Sequence, residues 1–435
     1  MENVTIGFIG IGAGIVLLLL RVQIGVALGL VSFIGIAVLL NMRAAWGIIT
    51  AIPFNFVGDW NLTAIPMFLL MGFIASEAGL SSGLFRTMRM LLSWLPGGLA
   101  VASVGASAVL AAASGSSVAT SSAFARIATP EMLRYRYDPG LATGVIAAAG
   151  TLGSLIPPSI LMVLYGYLAE VSVAKLFAAG VMPGIFTALA FTVMIVLRVI
   201  RKPSLAPKVE TGFTREEVLE AVKDTWALPV IIVGVLAGIF LAIFTPTEAG
   251  AVGAALAIVV AALKRSLTWK VLLAGFRQTL ISTASIFMVV IGTSLLGRFM
   301  ALSGVPGFVA DAFIAWGSSP LMVILAVSLL YLLLGCFLDS IGILLLTMPI
   351  ILPMANEAGL DLIWFGIILV KLLEIGLLTP PVGLNVYIIK GALGDRVSLT
   401  TIFRGVGWFV AVDLLVLLSL IFIPGITLWL PGMME

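Results

Sequence analysis

Long apolar stretches separated by short polar joints run the length of this chain, for example residues 5–20, 24–40, 228–244 and 414–423. A helix needs about 20 mostly apolar residues to cross the hydrocarbon of a bilayer. Several stretches reach or approach that length, and none has the short alternating pattern of a membrane β-barrel. The pattern predicts an all-α polytopic membrane protein. The longest polar stretch runs from Arg198 to Asp224 and includes Pro203 and Pro207. Its segment from Thr214 to Lys223 starts like a capped surface helix. We read 198–224 as a cytoplasmic linker between two halves, 1–197 and 225–435.

Composition strengthens this picture. Apolar residue types make up 61% of the chain and charged ones 10%, whereas a soluble domain sits near half and about a quarter. Met1-Glu2-Asn3 carries no positive charge, and no small-residue cleavage motif follows, so the first apolar run reads as a span and not a secretory signal. The single cysteine, Cys336, excludes an intramolecular disulfide framework. The absence of histidine excludes histidine metal sites, catalytic triads and imidazole proton relays.

The net charge of +3 matters through its placement and makes no case for nucleic acid. With one span per apolar segment, the linker's basic residues share a side with Arg21, Arg86, Arg89, Arg134, Arg136, Lys264, Arg265, Lys270, Arg277, Lys390, Arg396 and Arg404. Arg43, Lys175 and Arg298 fall opposite, and Arg126 and Lys371 lie inside membrane segments. This asymmetry is the positive-inside pattern, and it places both termini outside the cytoplasm.

The halves align with each other. An offset of 223 takes Ser116 to Asp339, Pro130 to Pro353, Asp138 to Asp361 and Pro157-Pro158 to Pro380-Pro381. Near the start of each half the offset drifts to 225, matching Gln23-Ile24-Gly25 to Glu248-Ala249-Gly250. Each half reads as about five crossings plus one hairpin that enters and returns. Five is odd, so the two repeats insert with opposite orientation, a recurring transporter plan with sites at the midplane.

Two repeat-related segments lie midway in apolar helices: Gly150 to Ser159, within a broken helix over about 138–170, and Gly376 to Asn385, within one over about 361–391. Proline lacks an N–H, its ring clashes with the carbonyl four residues earlier, and it pushes its predecessor out of helical geometry. The proline pairs are therefore expected to free the carbonyls of Gly153 and Ser154, and of Gly376 and Leu377. Each helix should break there and restart at the proline pair. An unpaired carbonyl in hydrocarbon costs several kcal/mol. A cation can compensate it, while the new helix N-terminus faces an anion. The simpler reading is a proline kink satisfied by neighbouring helices.

Two further segments, Ala113 to Ser122 and Leu334 to Gly342, each sit between apolar arms too short to cross twice. We read them as tips of re-entrant hairpins at about 98–130 and 318–355, entering from the cytoplasm and from outside respectively. Hydroxyls and freed carbonyls are neutral oxygen ligands that suit a monovalent cation such as sodium, whereas a divalent ion would want more carboxylates. The expected first sodium site is Ser114, Gly115, Ser116, Ser117, Gly150, Thr151 and Gly153. The expected second is Gly335, Asp339, Ser340, Gly376, Thr379 and Gly383. Substrate contacts are expected at Ser117, Thr120, Ser154, Pro157 and Asn385. No metal other than sodium is expected.

Among the charged residues, a carboxylate at membrane depth makes Asp339 a functional candidate, and holding backbone N–H groups at the tip is its alternative role. Lys371 and Glu374 are three apart on one helix and can pair, which reads as structural. Arg126 either attracts an anionic substrate or snorkels to the cytoplasmic surface, and snorkelling is the reading we favour. Asp413 has no explanation in the sequence.

Gly150-Thr-Leu-Gly-Ser-Leu-Ile-Pro-Pro-Ser159, Phe244-Thr-Pro-Thr-Glu-Ala249 and Gly376-Leu-Leu-Thr-Pro-Pro-Val-Gly-Leu-Asn385 resemble the large membrane subunit, of the DctM type, of tripartite ATP-independent periplasmic (TRAP) transporters. Gly335-Cys-Phe-Leu-Asp339 and Ser114-Gly-Ser-Ser117 are similar to its hairpin tips. The match spans nearly the whole chain. The resemblance implies a sodium-coupled importer of small organic acid anions, C4-dicarboxylates or related carboxylates, in a bacterial inner membrane. It implies an elevator motion of hairpins and broken helices against a scaffold. It also implies two partners: a separate small four-helix membrane subunit and a periplasmic substrate-binding protein. A stand-alone elevator-type anion–sodium symporter is the alternative. An intramembrane enzyme is disfavoured because no HExxH pair, GxSxG elbow or paired catalytic aspartates occur. A channel is disfavoured because broken helices in inverted repeats suit alternating access.

Overall fold

The computed structural model describes residues 2–80, 82–208, 213–315 and 319–434. Residues 209–212 of the expected linker and residue 318 at the expected start of the second hairpin lie outside them. The described residues are helical, with no strand among them. The first helices are α1 (Glu2–Leu19), α2 (Ile24–Leu39), α3 (Met42–Val57), α4 (Ala64–Glu77) and α5 (Ser82–Leu92). A helical pair follows, α6 (Gly98–Ser114) and α7 (Ser117–Arg134). Then come α8 (Pro139–Leu155), α9 (Ile160–Leu168) and α10 (Val173–Arg201). The linker carries α11 (Arg215–Thr225). Beyond it lie α12 (Ala227–Phe240), α13 (Pro246–Leu263), α14 (Trp269–Ser303) and α15 (Val305–Ala315). A second pair, α16 (Pro320–Gly335) and α17 (Ser340–Glu357), precedes α18 (Leu362–Gly376) and α19 (Leu384–Leu393). Last come α20 (Leu399–Phe422), the short α21 (Gly425–Leu428) and a 3-10 turn at Pro431–Met434.

Local sequence explains where these helices start. A side chain that accepts a hydrogen bond from the first turn satisfies one of its orphan N–H groups. Ser116 accepts from Ala119 N at the start of α7, and Asp339 from Gly342 N at the start of α17. Asp138 caps α8 through Leu141 N, and Asp361 caps α18 through Ile363 N and Trp364 N. Both cap pairs are related by the offset of 223. Thr214 and Glu217 form a capping box on α11, as do Thr245 and Glu248 on α13. The linker helix is fixed to α5, where the Thr87 hydroxyl meets the Thr225 hydroxyl at 2.6 Å and donates to the Ala221 carbonyl at 2.8 Å.

Six of the described helices are long and apolar enough to cross a membrane, or up to eight if each bent pair is one span. Their outer faces stay greasy: Leu189, Leu263, Leu280, Leu415 and Phe422 are all exposed. A soluble protein rarely leaves so much contiguous apolar surface uncovered, and a surface of this kind suits lipid. The helix α17 passes the same test of length and composition, so shortness alone does not make the second pair re-entrant.

The two halves interlock. The helix α2 packs on α14, and α13 packs on α4. Glycines permit both crossings. A Cβ on Gly25 would run into the Met288 carbonyl, and one on Gly250 would lie 3.0 Å from Met67 Cβ. The broken helix α8 packs on α20, where Gly144 and Gly405 let the two backbones meet.

Candidate functional site

Both proline pairs interrupt helices, but the restart differs from expectation. The path after α8 bends by 41° and resumes at Ile160, with Ser159 accepting from Met162 N. The path after α18 resumes at Leu384 behind Gly383, whose φ of 59° is left-handed. The prolines lie in the connections and do not start the new helices. Each connection holds a cis Pro–Pro peptide, and the first N–H groups of the new helix are met further along.

The freed carbonyls also need correcting. Pro157 and Pro158 supply no N–H to Gly153 and Ser154, as expected. In the second half, Thr379 N donates to the Gly376 carbonyl at 3.1 Å and Asn385 N donates to the Leu377 carbonyl at 3.2 Å. The wider second connection folds back on itself and satisfies both.

The first tip closes directly on the first break. Gly115 turns the chain with φ of 59°, and a Cβ on it would lie 2.9 Å from the Pro158 carbonyl oxygen. A Cβ on Gly153 would lie 2.6 Å from the Ser116 carbonyl oxygen, and one on Gly150 would overlap the Ser121 hydroxyl. Ser114 and Thr120 hydroxyls meet at 2.8 Å, and Thr120 donates to the Ser116 carbonyl at 2.9 Å. Thr151 donates to the Ala148 carbonyl at 2.6 Å. Ser117 and Ser154 hydroxyls meet at 2.8 Å. Of the expected first set, Ser116 and Ser117 meet Gly153, Gly115 meets the break at Pro158, Gly150 meets Ser121, and Thr151 turns its hydroxyl into its own helix; Ser117, Ser154, Thr120 and Pro157 are buried.

The second tip meets its break through glycine. A Cβ on Gly376 would lie 2.7 Å from Gly335 Cα. Thr379 donates its hydroxyl to the Ile375 carbonyl at 2.7 Å. Ser340 is buried with no partner for its hydroxyl among the described residues. Asp339 is exposed and caps α17 at 3.1 Å. Pro380 and Pro381 are exposed, whereas Pro157 and Pro158 are buried, so the two related breaks stand in different surroundings. Asn385 reaches the other half, donating to the Ala147 carbonyl at 3.3 Å.

Lys371 does not pair with Glu374. It forms a fully buried ion pair with Asp413 on α20 and donates to the Thr187 hydroxyl at 3.3 Å. Glu374 instead accepts from Ser117 at 2.6 Å. The last span lies against α18 and supplies the partner that sequence spacing could not show, which accounts for Asp413. Arg126 is exposed and lines a cavity of about 670 Å³ together with Ser76, Glu77, Ser114, Ser116 and Gln278. Gln278 donates to Glu77 at 2.7 Å across this cavity's wall. None of Ser76, Glu77 and Gln278 belongs to a recognisable motif. None of the expected substrate residues lines the cavity, whereas the sodium-set residues Ser114 and Ser116 do.

Comparison with known proteins agrees with this architecture. The C4-dicarboxylate TRAP transporter large permease protein DctM of Pseudomonas aeruginosa is 36% identical over 378 residues, covering 86% of each chain. The sialic acid TRAP transporter large permease protein SiaM of Vibrio cholerae is 32% identical, covering 86% of this chain and 87% of its own. The crystal structure of the Alcanivorax borkumensis YdaH transporter superposes with a TM-score of 0.63 over 90% of this chain and 91% of that one. At 14% identity this last likeness concerns the fold alone. The sequence model of the tripartite ATP-independent periplasmic transporter, DctM component, matches residues 11–426. The chain therefore belongs to the DctM family of TRAP transporter large permeases, and it is a transporter component and not an enzyme.

Proposed function

We propose that this permease imports a small organic acid anion across a bacterial inner membrane, driven by sodium. In this reading it works with a small four-helix membrane subunit and a periplasmic binding protein that delivers the anion. Both termini face the periplasm, on the strength of the basic-residue asymmetry. The observation that carries the proposal is the hydroxyl-lined first tip seated on a break whose carbonyls lack N–H donors. That arrangement offers several neutral oxygens at one place, the donor set of a monovalent cation. The adjoining cavity holds Arg126, a fixed positive charge suited to a carboxylate. The cap pairs at a constant offset support two inverted repeats. We further propose that the tips and breaks, with α8 and α18, move as one body against α2, α4, α13 and α14 in an elevator motion.

The test is uptake into proteoliposomes that hold the permease with its small subunit and binding protein. A sodium gradient is expected to drive accumulation of the anion. Undiminished uptake with sodium replaced by choline would refute sodium coupling. Full, saturable uptake by the permease alone at micromolar solute would refute the three-part assembly in favour of a stand-alone symporter.

A further inference from the structure

Glu374 stands in an unusual position. It is buried at 1% exposure on α18, in the second half, yet its Oε2 accepts a hydrogen bond from Ser117, the first helical residue after the first tip. Its Oε1 has no hydrogen-bond partner among the described residues. The charges acting on it are Lys371 on its own helix and Asp413 on α20. Lys371 is already engaged by Asp413. Two carboxylates therefore face one ammonium. A buried charge that stays unpaired is costly, so Glu374 stays neutral until a cation comes to face it.

The geometry says where that cation sits. A hydroxyl has one hydrogen and two lone pairs. Ser117 gives its hydrogen to Glu374, and Ser154 stands 2.8 Å from the Ser117 oxygen and also interacts with the Glu374 carboxyl. At least one Ser117 lone pair remains, on the tip where the first sodium site is proposed. A hydroxyl that ligates a cation must turn its hydrogen away from it, and Glu374 receives that hydrogen. We propose that Glu374 is the positioning residue and buried counter-charge of the first monovalent-cation site. It acts through Ser117 without touching the transported anion. This couples the halves: a carboxylate from the second repeat sets the cation affinity of the first repeat's hairpin. The inference rests on the proposed sodium coupling.

The experiment measures sodium half-saturation and solute KM separately, in proteoliposomes with the complete transporter. For Glu374→Gln the sodium half-saturation is expected to rise roughly 10- to 100-fold, as when a partner behind a metal ligand is lost. The solute KM at saturating sodium should change much less than the sodium half-saturation, because the bound cation restores the Ser117 orientation that the solute contact expected there also uses. In a Ser117→Ala background, Glu374→Gln should have little further effect, because both act on one hydroxyl. Glu374→Gln with unchanged sodium dependence would overturn the proposal. So would a variant that keeps its sodium response but loses a pH response of uptake, which would make Glu374 a proton carrier. Should the variant fail to fold, the conservative Glu374→Asp carries the test, through sodium binding to the purified transporter measured without solute. A weakened sodium affinity is expected, and an unchanged one would overturn the assignment. Sodium-independent uptake by the unaltered transporter would instead refute the coupling on which the inference rests.

Discussion

The buried pair of Lys371 and Asp413 allows a prediction whose order of effects is unequal. Both side chains are inside the protein, at 1% and 0% exposure, and Lys371 also meets Thr187 and lies 5.9 Å from the centre of the Phe191 ring. Lys371→Met leaves two carboxylates, Asp413 and Glu374, with no cation between them. One charge at the centre of a membrane helix costs about 2.5–3.5 kcal/mol on insertion scales. Breaking buried pairs in soluble proteins costs about 3–5 kcal/mol. We therefore expect Lys371→Met to lose about 3–5 kcal/mol. Asp413→Leu leaves Lys371 free to turn to Glu374, three residues along the same helix, so its loss should be smaller, about 1–3 kcal/mol. The double variant removes both charges and should lie within about 2 kcal/mol of the unaltered protein. The assay is a double-mutant cycle on reversible unfolding by sodium dodecyl sulfate in mixed micelles, followed through the nine tryptophans. If the double variant loses as much as the two single variants together, the pair is uncoupled and the reasoning fails. If Asp413→Leu is the worse single variant, Glu374 is not the spare carboxylate.

Other expectations follow from the same geometry. Ser116→Ala and Asp339→Ala each remove a helix cap, worth about 1 kcal/mol, and sodium half-saturation of uptake should rise in both; stability loss without a sodium effect would make the tips packing elements only. Gly376→Val drives a side chain into the Gly335 backbone and should cost about 1–3 kcal/mol or prevent accumulation, whereas Gly391→Val, with open space around it, should be tolerated; thermal stability in detergent compares them. The Thr214 N–H and hydroxyl hold the Glu217 carboxyl below its ordinary range. Its support for α11 is therefore complete above the ordinary glutamate pKa and is lost as pH falls through the lowered one. Protection of the first turn of α11 against hydrogen exchange, relative to the intrinsic rate, should fall only in acid; Thr214→Ala, which keeps the backbone N–H, should weaken that dependence, and Glu217→Ala should abolish it.

How much was legible in the sequence depended on how far each interaction reaches. The repeat offset located Asp138, Asp361, Ser116 and Asp339, but a capping role was read only for Asp339; the breaks were legible because proline acts on its own helix. The restart points were misread because Ser159 and Gly383, not the prolines, begin the new helices. The fate of the Gly376 and Leu377 carbonyls depended on how a connection folds back, which local rules do not specify. Glu374 finds Ser117 across 257 residues, and Lys371 finds Asp413 on the last span. At those distances only the assembled helices decide, so a nearby opposite charge three residues away was a false guide. The cavity residues Ser76, Glu77 and Gln278 carry no local signature, since their importance comes only from facing one space.

The interlocking of the halves bears on how the chain is made. While the ribosome is still producing the second half, α2 and α4 are already in the bilayer without the helices that will cover them. Their partners α14 and α13 emerge only after the linker, and the contact of Glu77 with Gln278 spans 201 residues. The close glycine surfaces, such as Gly25 against Met288, must wait facing lipid or an insertion chaperone. Neither half can complete its own interior, so the permease becomes a single cooperative body late in biogenesis. A chain truncated after the linker would expose in the membrane the very faces that quality-control proteases read as unassembled.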